Sequence, residues 1–225
     1  ISHVFGFENS LYLQQFIILL IMGLAILSVM RGMDGGVKLL SNLNMVIAFV
    51  FLGFIAVLNF TTVLDSVSTA IIGYVKNIIP LSQTTGRDDT TWLHGWTVFY
   101  WAWWVAYAPF FGMFVARISK GRTVREFLFC VMIIPTLVTT AWMSVFGGVA
   151  IEQIIDKVGV LGIEQGITDV SLSLFYMLDA YPIGDVLSVI AVTLIIVFFV
   201  TTLDSGSIVI DSMTAGGKLE VPIKQ

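Results

Sequence analysis

The chain has 225 residues, of which 57% are hydrophobic and 12% are charged, and its net charge is −4. Soluble domains carry about 25% charged residues, so this composition excludes an ordinary soluble protein and indicates a membrane protein. The acidic balance gives no sign of a nucleic-acid partner, and the single Cys130 excludes an intrachain disulfide and a cysteine-based metal site.

Five apolar runs are long enough to cross a bilayer, which takes about 20 helical residues. In chain order they cover residues 11–30, 43–64, 93–116, 127–148 and 183–203. Backbone polar groups must bond internally in lipid, so each run is expected to be a helix. The sequence therefore predicts an all-α integral membrane protein with about five transmembrane helices.

Two segments between these runs have the pattern of interfacial helices. Residues 66–80 carry apolar side chains at helical spacing but are too short to span. Residues 150–182 resemble two short amphipathic helices. We expect 1–225 to belong to a single transmembrane domain. Because the chain starts at Ile1 without Met, we also expect an internal piece of a longer protein.

Basic residues are unevenly distributed between the two ends of the predicted spans. Eight of the 11 lie in the segments 31–42, 117–126 and 204–225, and the others lie on the opposite side. The positive-inside rule places these three segments in the cytoplasm. The sequence thus predicts a multi-pass protein of the cell (inner) membrane.

The third run is unusually rich in aromatic residues. Four of the six Trp residues lie within nine positions, and Tyr100, Trp103, Trp104 and Tyr107 share one helical face. Aromatic faces attract quaternary ammonium ions, but a membrane helix also uses such residues for packing. Trp96 lies near the end of the run and fits an anchor at the membrane interface.

The stretch 95–104, followed by 116–126, resembles the signature of the betaine/choline/carnitine transporter family. Shorter resemblances lie at 144–148 and 198–205. The resemblance implies helices six to ten of a twelve-helix protein with the inverted-repeat fold of the sodium–leucine symporter. It also implies transport of betaine, choline, carnitine and similar onium compounds.

The same resemblance implies roles for residues of the aromatic run. Trp103 and Trp104 match the family's substrate-stacking pair, and Tyr107 stands where relatives often have a further Trp. Tyr100 is a candidate for the same wall because it shares their face. Phe110 matches a position beside a sodium site, and the pattern 109–112 resembles the ion-coupled branch.

The last run carries the candidate sodium ligands. Thr201 and Thr202 offer hydroxyl oxygens, and Phe198 lies one turn before them. From the residues alone, these hydroxyls can equally bond to their own backbone or to a neighbouring helix. The resemblance implies that they hold sodium, the one cofactor expected. Arg117 has two interpretations, a cytoplasmic anchor or a contact on the gate or release path.

The resulting hypothesis is a secondary transporter, with a sodium-coupled symport by alternating access. A sensor that binds onium compounds without transport, or a channel subunit, is the alternative. Expected partners are a small onium solute, sodium, membrane lipid and the remaining helices of the full-length protein, with a homotrimer as in many relatives. We find no catalytic motif and expect no enzyme.

Overall fold

The computed structural model describes residues 1–30, 38–86, 88–159 and 169–216, without the side chains of residues 29, 117, 208 and 212. Every regular element in this part of the chain is helical, so the all-α prediction is confirmed. The α-helices are, in chain order, α1 (Ser2–Phe5), α2 (Leu11–Met30), α3 (Lys38–Leu58), α4 (Phe60–Ser82), α5 (Thr90–Trp92), α6 (Phe99–Ile118), α7 (Val124–Leu128), α8 (Ile134–Trp142), α9 (Gly148–Ile155), α10 (Ser173–Leu178) and α11 (Gly184–Thr214).

Three π-helical segments join α-helices into longer ones. They are Leu93–Val98, Phe129–Ile133 and Met143–Gly147, and a 3₁₀ turn, Val170–Leu172, leads into α10. A π segment inserts an extra residue into a helical turn and so changes which side chains share a face.

Five helices of the described residues are long and apolar enough to cross a membrane, as the sequence predicts. The candidate spans within these helices, with their π segments included, are Leu11–Ser28, Lys38–Leu58, Thr90–Ala116, Val124–Ile155 and Gly184–Asp211. The protein is therefore a multi-pass membrane protein. The fourth candidate span is 32 residues long and the fifth 28, so both exceed the length of about 20 residues that spanning requires.

The second span ends earlier than predicted, at Leu58 instead of residue 64. Only Asn59 separates this helix from α4, and its backbone keeps the helical bonding pattern, since its N–H donates to Ile55 at 3.1 Å and its carbonyl accepts from Val63 at 3.0 Å. Its side-chain amide also donates to the carbonyl of Ile55, at 2.8 Å, and to the Tyr181 hydroxyl, at 2.7 Å. The interfacial helix predicted at 66–80 is longer, Phe60–Ser82, with Pro80 inside it.

The other boundaries that differ lie at the ends of the fourth and fifth spans. The fourth helix continues from 148 through α9 to Ile155, so the first predicted amphipathic helix of 150–182 is its extension. Residues 160–168 of that connection lie outside the described residues. The fifth helix continues past 203 to Thr214, and part of the segment 204–225 is thus helical.

The described residues form two compact units. The larger unit takes its residues from Ile1–Leu64 and Trp142–Gln225, and the smaller from Asp65–Ala141. In the larger unit, α3, α9, α10 and α11 bury one apolar cluster, in which Ile55 and Leu178 have no exposed surface. The expectation that 1–225 is part of one transmembrane domain remains a prediction.

Candidate functional site

The aromatic residues lie on one long helix of the smaller unit, built from α5, the π segment Leu93–Val98 and α6. Between Thr90 and Ile118 the sequence has no Asp or Glu. A cation that binds along this helix therefore meets ring faces rather than carboxylates of the same helix. The absence of acidic side chains also suits the helix to a membrane.

A continuous series of ring contacts runs along the first half of the aromatic helix. Trp96 stacks on Tyr100, with ring centres 5.9 Å apart and an angle of 4°. Tyr100 contacts Trp103 at 5.8 Å, and Phe99 contacts both rings. The structure thus brings Tyr100 and Trp103 together, and Trp96 stacks on Tyr100.

The second half of the helix has a separate aromatic pair. Tyr107 contacts Phe110 with ring centres 5.0 Å apart. Trp104 makes no ring contact within the described residues, and 64% of its surface is exposed. The face predicted from the sequence is therefore divided into a Trp96–Trp103 series, the free ring of Trp104 and the Tyr107–Phe110 pair.

The rings of Trp103 and Trp104 are accessible to a ligand within the smaller unit. Trp103 is 54% exposed and lines an open, apolar depression of about 390 Å³ with Phe99, Ala102 and Ala106. Tilted ring contacts with Tyr100 and Phe99 restrict the Trp103 rotamer, whereas Trp104 has no ring contact within the described residues.

Pro109 lies within α6, which continues through it to Ile118. Proline has no backbone N–H, so the carbonyl of Val105 loses its usual helical donor. That carbonyl lies one residue after Trp104. It offers an acceptor of partial negative charge beside the aromatic residues, in a stretch that has few other polar atoms.

The predicted sodium ligands lie on α11, in the larger unit. The Thr201 hydroxyl donates to the carbonyl oxygens of Val197, at 3.1 Å, and Phe198, at 3.0 Å. The alternative of bonding to the helix backbone is therefore present in the structure. This backbone bonding uses the hydroxyl proton of Thr201 and leaves the lone pairs of its oxygen for a cation. Thr202 and Phe198 are exposed. The hydroxyls are compatible with a hard cation but form only part of a ligand set.

Two further predicted residues belong to the smaller unit. Phe110 is half-buried against Tyr107 on α6. Arg117 lies in the last turn of α6, and its side chain lies outside the described residues. The roles predicted for these residues, for the aromatic wall and for the threonines remain predictions.

A buried carboxylate on α11 is a feature to which the sequence assigned no role. Asp204 has no exposed surface, and the Ser28 hydroxyl of α2 donates to its Oδ2 at 2.6 Å. Its Oδ1 has no partner within the described residues. The only sequence signal was an acid at the end of an apolar run, which also fits a solvated helix end; the pairing with Ser28 required the structure.

Known proteins match this chain over its whole length. The family model described as betaine/carnitine/choline family transporter matches residues 1–225. A glycine betaine/proline/choline/ectoine transporter of Vibrio parahaemolyticus is 56% identical over 100% of this chain and 40% of its own length. Glycine betaine transporter 1 of the same bacterium is also 56% identical, over 100% of this chain and 43% of its own length.

A more distant relative, a glycine betaine transporter of Bacillus subtilis, is 37% identical over 97% of this chain and 43% of its own length. The chain spans about two fifths of the length of these curated relatives. All three are named as transporters, in agreement with the lack of an enzyme motif. From the match over all 225 residues, the chain belongs to the betaine/carnitine/choline transporter family.

Proposed function

We propose that the protein is a secondary transporter of betaine-type quaternary ammonium solutes, with Trp103 and Trp104 as walls of the solute site. The observation that carries this proposal is the pair of exposed indole rings on a membrane helix without carboxylates. Glycine betaine is the first solute to test because the relatives described above are all named for it.

The chemistry of the solute explains the choice of aromatic residues. A trimethylammonium group has no N–H to donate, so hydrogen-bond acceptors cannot recognise it in the usual way. Indole faces attract such a cation by about 2 kcal/mol when the site is desolvated. Tyr100 and Tyr107 extend the aromatic surface, and Trp103 is held in place by Tyr100 and Phe99.

Sodium coupling is the second part of the proposal. Thr201 and Thr202 supply hydroxyl oxygens, with Phe198 beside them and Phe110 at a second position on the smaller unit. Bound sodium would favour the conformation that binds solute, and alternating access would then move both across the membrane.

The orientation and assembly are the third part of the proposal. The basic segments 31–42, 117–126 and 204–225 would lie on the cytoplasmic side of the inner membrane. Arg117 would lie on the release path, and a homotrimer in lipid would be the working assembly.

Uptake by the intact protein in proteoliposomes tests the transport function. Radiolabelled glycine betaine, choline and carnitine are added with and without an inward sodium gradient. We expect saturable uptake of at least one solute that increases with the gradient. Saturable binding without uptake would indicate a sensor, and non-saturable flux would indicate a channel; either result would contradict the proposal.

Replacement of Thr201 tests the sodium site. Thr201→Ala removes a hydroxyl oxygen, and we expect the sodium concentration for half-maximal uptake to increase about tenfold, the equivalent of about 1.4 kcal/mol. Thr201→Ser retains the oxygen and should restore the sodium response. If Thr201→Ala leaves the sodium dependence of uptake unchanged, this residue has no place in the ion site.

A further inference from the structure

A polar cavity lies in the larger unit, away from the aromatic helix and from the threonines of α11. Its volume is about 200 Å³, and its polar lining consists of Asn59, Glu152, Gln153, Asp156 and Tyr181. These residues come from the break between α3 and α4, the end of α9 and the turn before α11. Nothing in the proposed transport function uses them.

Gln153 presents a buried oxygen with no hydrogen-bond donor. The residue is 8% exposed, and its side-chain nitrogen donates to the carbonyl of Met177 at 3.2 Å. Only the nitrogen can face a carbonyl, so the orientation of the amide is fixed by this bond. The oxygen Oε1 therefore points away from the Met177 carbonyl, and it has no hydrogen-bond partner within the described residues. A buried acceptor without a donor is costly, and a bound cation would satisfy it.

Two neighbouring groups fix other oxygens at the same cavity. Glu152 accepts from the Thr62 hydroxyl, which lies 2.7 Å from each carboxylate oxygen. The Tyr181 hydroxyl accepts from the amide of Asn59 at 2.7 Å. Burial raises the pKa of Tyr181 above its usual value, and the charge of Glu152 adds to this against the opposing Asn59 bond. The bond from Asn59 thus fixes the position of the Tyr181 hydroxyl oxygen at the cavity.

We propose that this cavity binds a hard divalent cation of the Ca²⁺ type, with Glu152 and Asp156 as charged ligands and Gln153 Oε1 as a neutral ligand. Carboxylate, amide and hydroxyl oxygens are the ligands that Ca²⁺ prefers, and it accepts irregular sets of six to eight of them. Mg²⁺ is smaller and demands near-octahedral geometry, so it should fit this mixed set less well.

The number of carboxylates sets the expected affinity. The part of the chain that the structure describes has no group of three or more His, Cys, Asp or Glu side chains suited to a metal. A site with two carboxylates corresponds to the weak end of protein Ca²⁺ sites, with a Kd on the order of 10⁻⁴ to 10⁻³ M. Such a site responds to millimolar concentrations of the ion.

A cation at this position would link three segments of the larger unit. Asn59 lies at the α3–α4 break, Glu152 and Asp156 at the end of α9, and Tyr181 in the turn before α11. A ligand that binds only the folded state stabilises it increasingly as the ligand concentration rises. Addition of Ca²⁺ should therefore increase the thermal unfolding temperature of the purified protein.

Calorimetric titration of the purified intact protein in detergent with CaCl₂ tests the proposal, with thermal unfolding followed in the same samples. Glu152→Gln should weaken Ca²⁺ binding about tenfold and remove the increase in unfolding temperature. Asp156→Asn should do the same in part. Asp156 is exposed and makes no side-chain hydrogen bond within the described residues, so this variant should fold normally. Glu8→Gln, a matched loss of one exposed carboxylate elsewhere in the larger unit, should bind Ca²⁺ like the wild type.

The outcomes separate a built site from general attraction to negative charge. Saturable binding of Ca²⁺ that is stronger than that of Mg²⁺, and weaker in both cavity variants, supports the proposal. Absence of saturable binding would overturn it, as would equal binding by the wild type and Asp156→Asn. Equal weakening by Glu8→Gln would also overturn it, because surface charge would then explain the effect. These results do not depend on solute transport, so the proposed function can fail independently.

Discussion

The last span and the aromatic span are both long apolar helices, yet they differ in the share of their residues that is buried. In the most apolar stretch of each, 33% of the residues of α11 are buried, against 6% of the aromatic helix. Within the larger unit, α11 packs against α3, α9 and α10 in the common cluster. Within the smaller unit, the aromatic helix leaves Trp103 and Trp104 more than half exposed. The two helices thus differ in burial in the same direction as in mean hydropathy, which is 2.8 for the last span and 1.3 for the aromatic span.

This contrast has a consequence for substitutions. Changes in the buried cluster should affect stability, whereas changes to the exposed rings should affect solute binding and leave stability nearly intact. Substitutions in the larger unit and on the aromatic helix can therefore test this separation.

Ile55→Ala should destabilise the protein most. Ile55 is fully buried in α3 within the cluster of the larger unit. Truncation leaves a cavity and is expected to lower the free energy of unfolding by about 2–5 kcal/mol. Titration with SDS in mixed micelles, followed to complete unfolding, measures this change in the free energy of unfolding. Val57→Ala is the control, because Val57 is on the same helix and 76% exposed; equal losses would refute the description of the core.

Gly184→Ala should have the next largest effect. A Cβ at this first residue of α11 would lie 2.6 Å from the carbonyl oxygen of Leu178 and 3.0 Å from the Cα of Asp179. Both are backbone atoms, so the turn itself must shift, at a cost of about 1–3 kcal/mol. The same unfolding assay measures it. Gly53→Ala, with open space where its Cβ would lie, should be neutral; a loss there as large as at 184 would contradict the steric explanation.

Ser28→Ala should have a smaller effect, since it removes one interhelical hydrogen bond. The Ser28 hydroxyl is the partner recorded for the buried Asp204. Such bonds in membrane proteins contribute about 0.6 kcal/mol on average and about 1.7 kcal/mol at most. Ser28→Thr retains the hydroxyl and should recover part of the loss. No difference in unfolding between Ser28→Ala and the wild type would show that Asp204 gains nothing from this contact.

The extent of the apolar runs was sufficient to predict the five helices, because hydropathy over about 20 residues is a strong signal. Boundaries were less predictable. The boundary between α3 and α4 lies at Asn59, whose side chain contacts Tyr181, 122 positions away, and no local pattern marks that contact. The continuation of α11 past Asp204 and the pairing of Asp204 with Ser28 are likewise not revealed by a single sequence.

The candidate site was predictable in its residue types but not in its geometry. The dense Trp motif is visible in the sequence. The division of the aromatic face is not visible in the sequence, because the π segment Leu93–Val98 and the ring contact of Trp96 with Tyr100 depend on local helix geometry. The cavity at Glu152 combines residues from distant parts of the chain, and no short motif marks it.

Solute affinity of Trp104→Ala, measured against Trp101→Ala, tests the central claim most directly. Both residues are exposed on α6, at 64% and 70%, so neither change should alter stability by more than about 0.5 kcal/mol. Loss of one indole face should weaken glycine betaine binding by Trp104→Ala about 30-fold, the equivalent of about 2 kcal/mol. Trp101→Ala should bind like the wild type. Equal affinities in the two variants would contradict the assignment of Trp104 to the solute site.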